Sequence, residues 1–144
     1  MFLKTLRNTR SKIRDELIDK LKNEYSMSVS GVESMLSALN DIRDYVILLY
    51  DNDELMGVIS YYMSKKKYIE IDHLGVIKQH CGYGTILIQE VFKIAKNTDR
   101  YPVTVITNGY SDIFYEKMGM ERITQSLPAV YEMSKDKLDS LNFI

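Results

Sequence analysis

The segment from Tyr68 to Thr107 constrains the fold more than any other. It opens on a strand pattern, Tyr68-Ile69-Glu70-Ile71-Asp72-His73-Leu74-Gly75-Val76, alternating at first and apolar toward its end. A loop with two glycines, Gln79-His80-Cys81-Gly82-Tyr83-Gly84, leads into Ile86, Leu87, Ile88, Val91, Phe92, Ile94 and Ala95, the broad apolar face of a helix ending near Asn97. Val103-Thr104-Val105-Ile106-Thr107 then reads as a short apolar strand. Two strands joined through a helix pair in parallel by a right-handed crossover, so the sheet is expected to be mixed.

The flanking segments fill in the rest. From Ser11 to Tyr25, Ile13, Leu17, Ile18 and Leu21 recur at helical spacing with charged residues between them, which predicts an amphipathic helix. Ser30 and Glu33 form a capping box ahead of Val32, Met35, Leu36 and Leu39, marking a second helix to about Ile42. Tyr45 to Tyr50 favours a strand, and the group Asp51-Asn52-Asp53-Glu54 stops it before a further strand from Leu55 to Met63. With Tyr68–Val76 these form an antiparallel meander, and Lys65-Lys66-Lys67 is a solvated hairpin connection. Ser111 to Met118 is a short helix stopped by Gly119. Glu121–Gln125 and Val130–Ser134 make a closing hairpin before a polar tail, and Phe2–Leu6 is a first edge strand.

At 144 residues the chain is expected to be one domain, 1–144. A net charge of -1 offers no general attraction to a nucleic-acid backbone, so such a partner is not expected. Cys81 is the sole cysteine, which excludes an intramolecular disulfide and suits a reducing, cytoplasmic location. No segment approaches the ~18 apolar residues that span a bilayer. The eleven tyrosines leave room for an aromatic-rich homodimer interface.

The residues that carry chemistry cluster around the glycine loop. Glycines at a strand-to-helix turn remove the Cβ atoms that would block a diphosphate, and the helix beginning near Gly84 brings unpaired N–H groups. A glycine pair there is also what an ordinary tight turn requires. Glu70 and Asp72 share one strand face and His73 takes the other; they are candidate proton acceptors, or simply two solvated acids and a structural histidine. Asp51–Gly57 lacks the residue order of a calcium loop, and His73, His80 and Cys81 match no zinc spacing, so no metal is expected.

Gln79, Gly82 and Gly84, together with Asn108-x-x-Ser111-x-x-Phe114-Tyr115-Glu116-Lys117-Met118-Gly119 and the order of elements, resemble the GNAT superfamily of acyl-CoA N-acyltransferases. The specific match runs from about Glu70 to Met120. The resemblance implies an α/β (α+β) fold with a mixed, mainly antiparallel central sheet flanked by helices on both faces, and a splayed strand pair holding CoA. It implies acetyl transfer from acetyl-CoA to a primary amine by direct attack in a ternary complex. The pyrophosphate would sit on Gln79, His80, Cys81, Gly82, Tyr83, Gly84 and Thr85, and the pantetheine on the backbone at Leu74, Gly75 and Val76. The same backbone would face the thioester oxygen, and Gly75 would ease the departure from regular pairing. Tyr115 would donate to the departing thiolate, Asn108 would order the adjoining turn or touch the pantetheine, and Asp72 or Glu70 would take the amine proton. Tyr115 also reads as a buried aromatic and Asn108 as a turn residue. The loop departs from its relatives at His80 and Cys81, where glycine and a basic residue are common. A catalytically degenerate CoA-binding or regulatory module of the same fold is the alternative. An aminoacyl-tRNA acceptor is disfavoured by the acidic charge.

Overall fold

Ser11 begins the first helix as its N-cap, its hydroxyl accepting from the Arg14 N–H at 3.2 Å. Helix α1 covers Lys12–Glu24 and Tyr25 closes it, so the two ends of the predicted stretch are its caps. The computed structural model describes residues 1–25, 30–109 and 111–142. Helix α2 covers Ser30–Asn40; the side chain of Ser30, and with it the expected capping box, lies outside the described residues. The strands β1 (Phe2–Leu6), β2 (Tyr45–Asp51), β3 (Glu54–Met63), β4 (Ile69–Val76) and β5 (Val103–Thr107) stand where the patterns put them, as does helix α3 (Tyr83–Asn97). Helix α4 (Asp112–Lys117) precedes the closing pair β6 (Glu121–Arg122) and β7 (Ala129–Met133).

One feature was not expected. The polar tail forms a helix, α5 (Lys135–Ser140), because Ser134 caps it by accepting from the Lys137 N–H and Leu138 is buried. Together the strands make a seven-stranded sheet in the order β1-β2-β3-β4-β5-β7-β6, flanked by helices. Of the described registers only β4–β5 is parallel, as the crossover argument requires. Among the described residues no helix is long and apolar enough to cross a membrane.

The chain divides into two compact units, Met1–Tyr62 with Asp72–Leu87 and Met63–Ile71 with Ile88–Ile144. The divisions fall inside β3, β4 and α3. In the first unit β1 pairs antiparallel with β2 from Phe2↔Tyr50 to Leu6↔Val46. The β2–β3 hairpin turns at Asn52 (φ 51°) and Asp53 (φ 64°), both left-handed, which matches the twist of the strands it joins. Its core is built from Leu6, Ile18, Leu21, Met35, Leu39 and Val58 with their neighbours.

Two departures from periodicity occur in this unit. Ile13, placed on the apolar face of α1 by its spacing, is 43% exposed, whereas Arg14 is 1% exposed. Arg14 is buried because its guanidinium gathers four carbonyl oxygens, those of Leu39 (3.2 Å) and Asp41 (3.3 Å) on Nη1 and of Arg7 (2.6 Å) and Asp44 (2.7 Å) on Nη2. The Leu39 carbonyl, in the last turn of α2, would otherwise lack a donor, while that of Asp41 also accepts from the Asp44 N–H at 3.3 Å. At Gly31 and Gly75, α2 meets β4 backbone to backbone. A Cβ on Gly75 would stand 2.5 Å from the Gly31 carbonyl oxygen and 2.6 Å from the Met35 nitrogen, and one on Gly31 would overlap the Val76 carbonyl. Helix packing is therefore a sufficient reason for glycine at position 75.

In the second unit the start of β4 pairs with β5 at Ile69↔Val103, Glu70↔Thr104 and Ile71↔Val105. Antiparallel pairing of β5 with β7 continues to Thr107↔Ala129, and β6 adds at the edge. Val91, Phe92, Ala95, Tyr131 and Met133 are buried. Gly119 at φ 92° ends α4 in the left-handed conformation its position predicts.

Candidate functional site

The sequence-predicted residues fall in both units. Asp72, Leu74–Val76 and Gln79–Thr85 belong to the first, Glu70, Asn108 and Tyr115 to the second.

After Val76 the Ile77 N–H still reaches the Met56 carbonyl at 2.8 Å, and from Lys78 the chain leaves the sheet. Gln79, His80, Cys81 and Gly82 are all exposed. His80 lies at φ 61° and Gly82 at φ 80°, and a Cβ at Gly82 would meet nothing within 4 Å. The Ile86 N–H donates to the Gly82 carbonyl, so the N–H groups of Gly82, Tyr83, Gly84 and Thr85 precede the first intrahelical bond of α3. Exposed backbone donors at the positive end of a 15-residue helix fit a diphosphate. His80 occupies a left-handed position that glycine fills without strain, which gives a physical meaning to its departure from the usual pattern.

A contact not foreseen from the sequence holds this loop. The Tyr83 hydroxyl donates to Asp51 Oδ2 at 2.8 Å and fastens the first residue of α3 to the β2–β3 turn. That bond, with burial, raises the phenol above its ordinary pKa. Cys81 is a free, exposed thiol beside it.

Asp72 points to the connection between α2 and β2. Its carboxylate lies 3.5 Å from Arg43 Nη2 and shares a cluster with Asp41 and Asp44 in which one oxygen of each lies within 4.8 Å of the others. Asp44 has no exposed surface. Burial, and then Asp72 and Asp41, push its carboxyl up to about 8, with Arg43 opposing. His73 makes its backbone contact with Ser60 Oγ at 3.1 Å, and its ring is half-buried.

In the second unit Tyr115 is 5% exposed, edge-on to Phe114 with ring centroids 5.2 Å apart and 6.3 Å from the ring of Tyr131. Among the described residues nothing hydrogen-bonds its hydroxyl. Burial raises the phenol to about 12, so it holds its proton throughout the neutral range. Asn108 is exposed, and the turn it begins is ordered by Thr107, whose hydroxyl donates to Asp112 and accepts from the Gly109 N–H. Arg122 lies 3.7 Å from the other Asp112 oxygen. Tyr131 donates to Glu116 at 2.8 Å.

A family model described as Acetyltransferase (GNAT) family matches residues 11–120. Among solved structures, GCN5 of Tetrahymena is 18% identical with a TM-score of 0.71, covering 93% of this chain and 96% of that one. An aminoglycoside 6′-N-acetyltransferase complexed with coenzyme A is 17% identical, TM-score 0.64, over 93% and 97%. A KacTA–DNA complex is 14% identical, TM-score 0.67, over 96% of both. At these identities the likeness is one of fold. No curated protein matches the chain.

Proposed function

Since this chain belongs to the acetyltransferase (GNAT) family, we propose that it transfers an acetyl group from acetyl-CoA to a primary amine by direct attack, with both substrates bound together. Residues 1–144 are read as one domain of this kind, because the divisions between its units fall inside β3, β4 and α3. The observation that carries the reading is the exposed Gln79–Gly82 turn opening onto the free N–H groups of α3, which offers a diphosphate its donors.

The other roles are assigned by chemistry. Backbone N–H groups near Leu74 and Val76 would bind the thioester oxygen as negative charge grows there, while the C–N bond forms and the C–S bond breaks. An ammonium of pKa ~10.4 must first lose a proton, which Glu70 or Asp72 would accept. Tyr115 would meet the leaving thiolate. Its phenol at about 12 lies well above a reference thiol of ~8.5, so Tyr115 acts chiefly as a hydrogen-bond donor that holds charge on sulfur. Asn108, exposed at the turn that Thr107 orders, would touch the pantetheine.

The test is the unfolding midpoint with acetyl-CoA, CoA or ATP, followed by thiol release against a panel of amines. Ligand at ~100 times its Kd adds about 2.7 kcal/mol, a shift of several degrees. A rise with both CoA species and not with ATP, then thiol release that falls by one to three orders of magnitude in Tyr115→Phe at unchanged CoA affinity, is expected. No shift at saturating CoA would overturn the reading.

A further inference from the structure

Asp41, Asp44 and Asp72 present one carboxylate oxygen each within 4.8 Å of one another, where the α2–β2 connection faces β4 inside the first unit. An acidic cluster alone is common on proteins. The informative member is Asp44, whose side chain has no exposed surface and whose two carboxylate oxygens are both without a hydrogen-bond donor. A buried charge in that state costs several kcal/mol unless a proton or a cation joins it.

Neither neighbouring arginine supplies that partner. Nη1 and Nη2 of Arg14 donate to the backbone carbonyls of Arg7, Leu39, Asp41 and Asp44, and its Nε–H, though buried, reaches no carboxylate. Arg43 stands 3.5 Å from Asp41, 3.8 Å from Asp44 and 3.5 Å from Asp72, all longer than the ~2.7–2.9 Å of a charge-assisted hydrogen bond. Its side chain is 69% exposed, so it covers the mouth of the cluster without filling it. Three carboxylates therefore face one loosely held guanidinium.

We propose that Asp41, Asp44 and Asp72 form a binding site for a divalent cation of calcium size, which enters as Arg43 swings outward. The ligand set is all oxygen, which suits a hard cation. Ca²⁺ is favoured over Mg²⁺ because Mg²⁺ demands near-ideal octahedral geometry and gives up its waters reluctantly, whereas Ca²⁺ accepts irregular ligands such as three oxygens within 4.8 Å of one another. Three protein ligands leave the remaining positions to water, so the dissociation constant falls on the order of 10⁻⁴–10⁻³ M. Asp72 then serves as a ligand, and Glu70 is left as the acid that takes the amine proton. The site itself does not depend on the acetyl-transfer reading.

The experiment is a titration of chelator-treated protein with CaCl₂ and MgCl₂ at constant ionic strength, read by unfolding midpoint, for wild type, Asp44→Asn, Asp41→Asn and Arg43→Ala. Wild type should show a saturable rise with Ca²⁺ at lower concentration than with Mg²⁺. Asp41→Asn and Asp44→Asn should lose it. Arg43→Ala, freed of its competing charge, should need roughly tenfold less Ca²⁺. Tb³⁺ luminescence excited through Tyr62, whose ring centroid is 6.0 Å from the Arg43 guanidinium, reports occupancy independently of stability. No Ca²⁺ response in wild type and Arg43→Ala, or an equal response in both asparagine variants, would overturn the proposal and leave Asp44 neutralised by a proton.

Discussion

Gly75→Ala and Gly82→Ala add the same methyl group to two glycines of the same strand–loop–helix segment, and they should fail in opposite ways. At Gly75 the new Cβ would stand 2.5 Å from the Gly31 carbonyl oxygen, about 0.9 Å inside the 3.4 Å at which ordinary contact begins. The two nearest atoms, the Gly31 oxygen and the Met35 nitrogen, are backbone, so moving the Met35 side chain does not relieve the overlap and α2 must back away from β4 by a comparable distance. Val32, Met35, Leu36 and Leu39 are buried on that helix. If each is worth about 2 kcal/mol and a gap of this size forfeits about a quarter to a half of the contact, the loss is about 2–4 kcal/mol. At Gly82 nothing lies within 4 Å and φ is 80°, so the cost is backbone strain of about 1–2 kcal/mol, offset by up to about 1 kcal/mol from a stiffer unfolded chain. Thermal melts should place Gly75→Ala about 10 °C below wild type and Gly82→Ala about 3 °C below. Gly82→Ala, mild in stability, should weaken CoA binding through the exposed loop. A Gly75→Ala protein within 1 kcal/mol of wild type, or more stable than Gly82→Ala, would refute the backbone crossing as the reason for that glycine.

Other outcomes follow from single contacts. Tyr115 titrates at about 12 in the folded protein against ~10 unfolded, so its contribution is complete below pH 10 and is lost as pH climbs through 12. Tyr115→Phe should flatten the alkaline fall in unfolding free energy from urea melts by about 3 kcal/mol over that interval, and parallel curves would contradict the burial argument. Cys81 is exposed within the loop, and saturating CoA should slow its alkylation severalfold; unchanged labelling would move the diphosphate elsewhere. Arg14→Met removes the guanidinium from four carbonyls, of which that of Asp41 keeps the Asp44 N–H, and should cost about 3–5 kcal/mol in urea unfolding, whereas a loss under 1 kcal/mol would mean that water replaces the guanidinium.

What could be read from the chain beforehand was whatever is written locally. Ser11 and Tyr25 bracket α1, Gly119 stops α4, and β5 occupies Val103–Thr107, because caps, left-handed glycines and β-branched runs act over a few residues. The Gln79–Gly84 turn was legible for the same reason. Arg14 was misplaced among solvated charges, since its acceptors lie up to 30 residues away and no period announces them. Tyr83 was placed in the loop, but its anchor on Asp51, 32 residues earlier, depends on how the β2–β3 turn folds back. The cluster of Asp41, Asp44 and Asp72 stayed hidden likewise: each acid is unremarkable alone, and only the approach of the α2–β2 connection to β4 brings their oxygens together. Tertiary proximity carries no signature in spacing.

The sealed guanidinium of Arg14 also bears on the route by which this protein reaches its native state. Its acceptors lie 7, 25, 27 and 30 residues along the chain, so a helix α1 formed early has no means of housing the cation by itself. The interaction becomes favourable only when the turn after β1, the end of α2 and the start of β2 arrive together. Intermediates holding two of these three segments carry a dehydrated charge with one or two of its four bonds missing and are depopulated accordingly. Arg14 thus enforces cooperativity in the first third of the sequence, and its removal should quicken unfolding far more than it slows refolding.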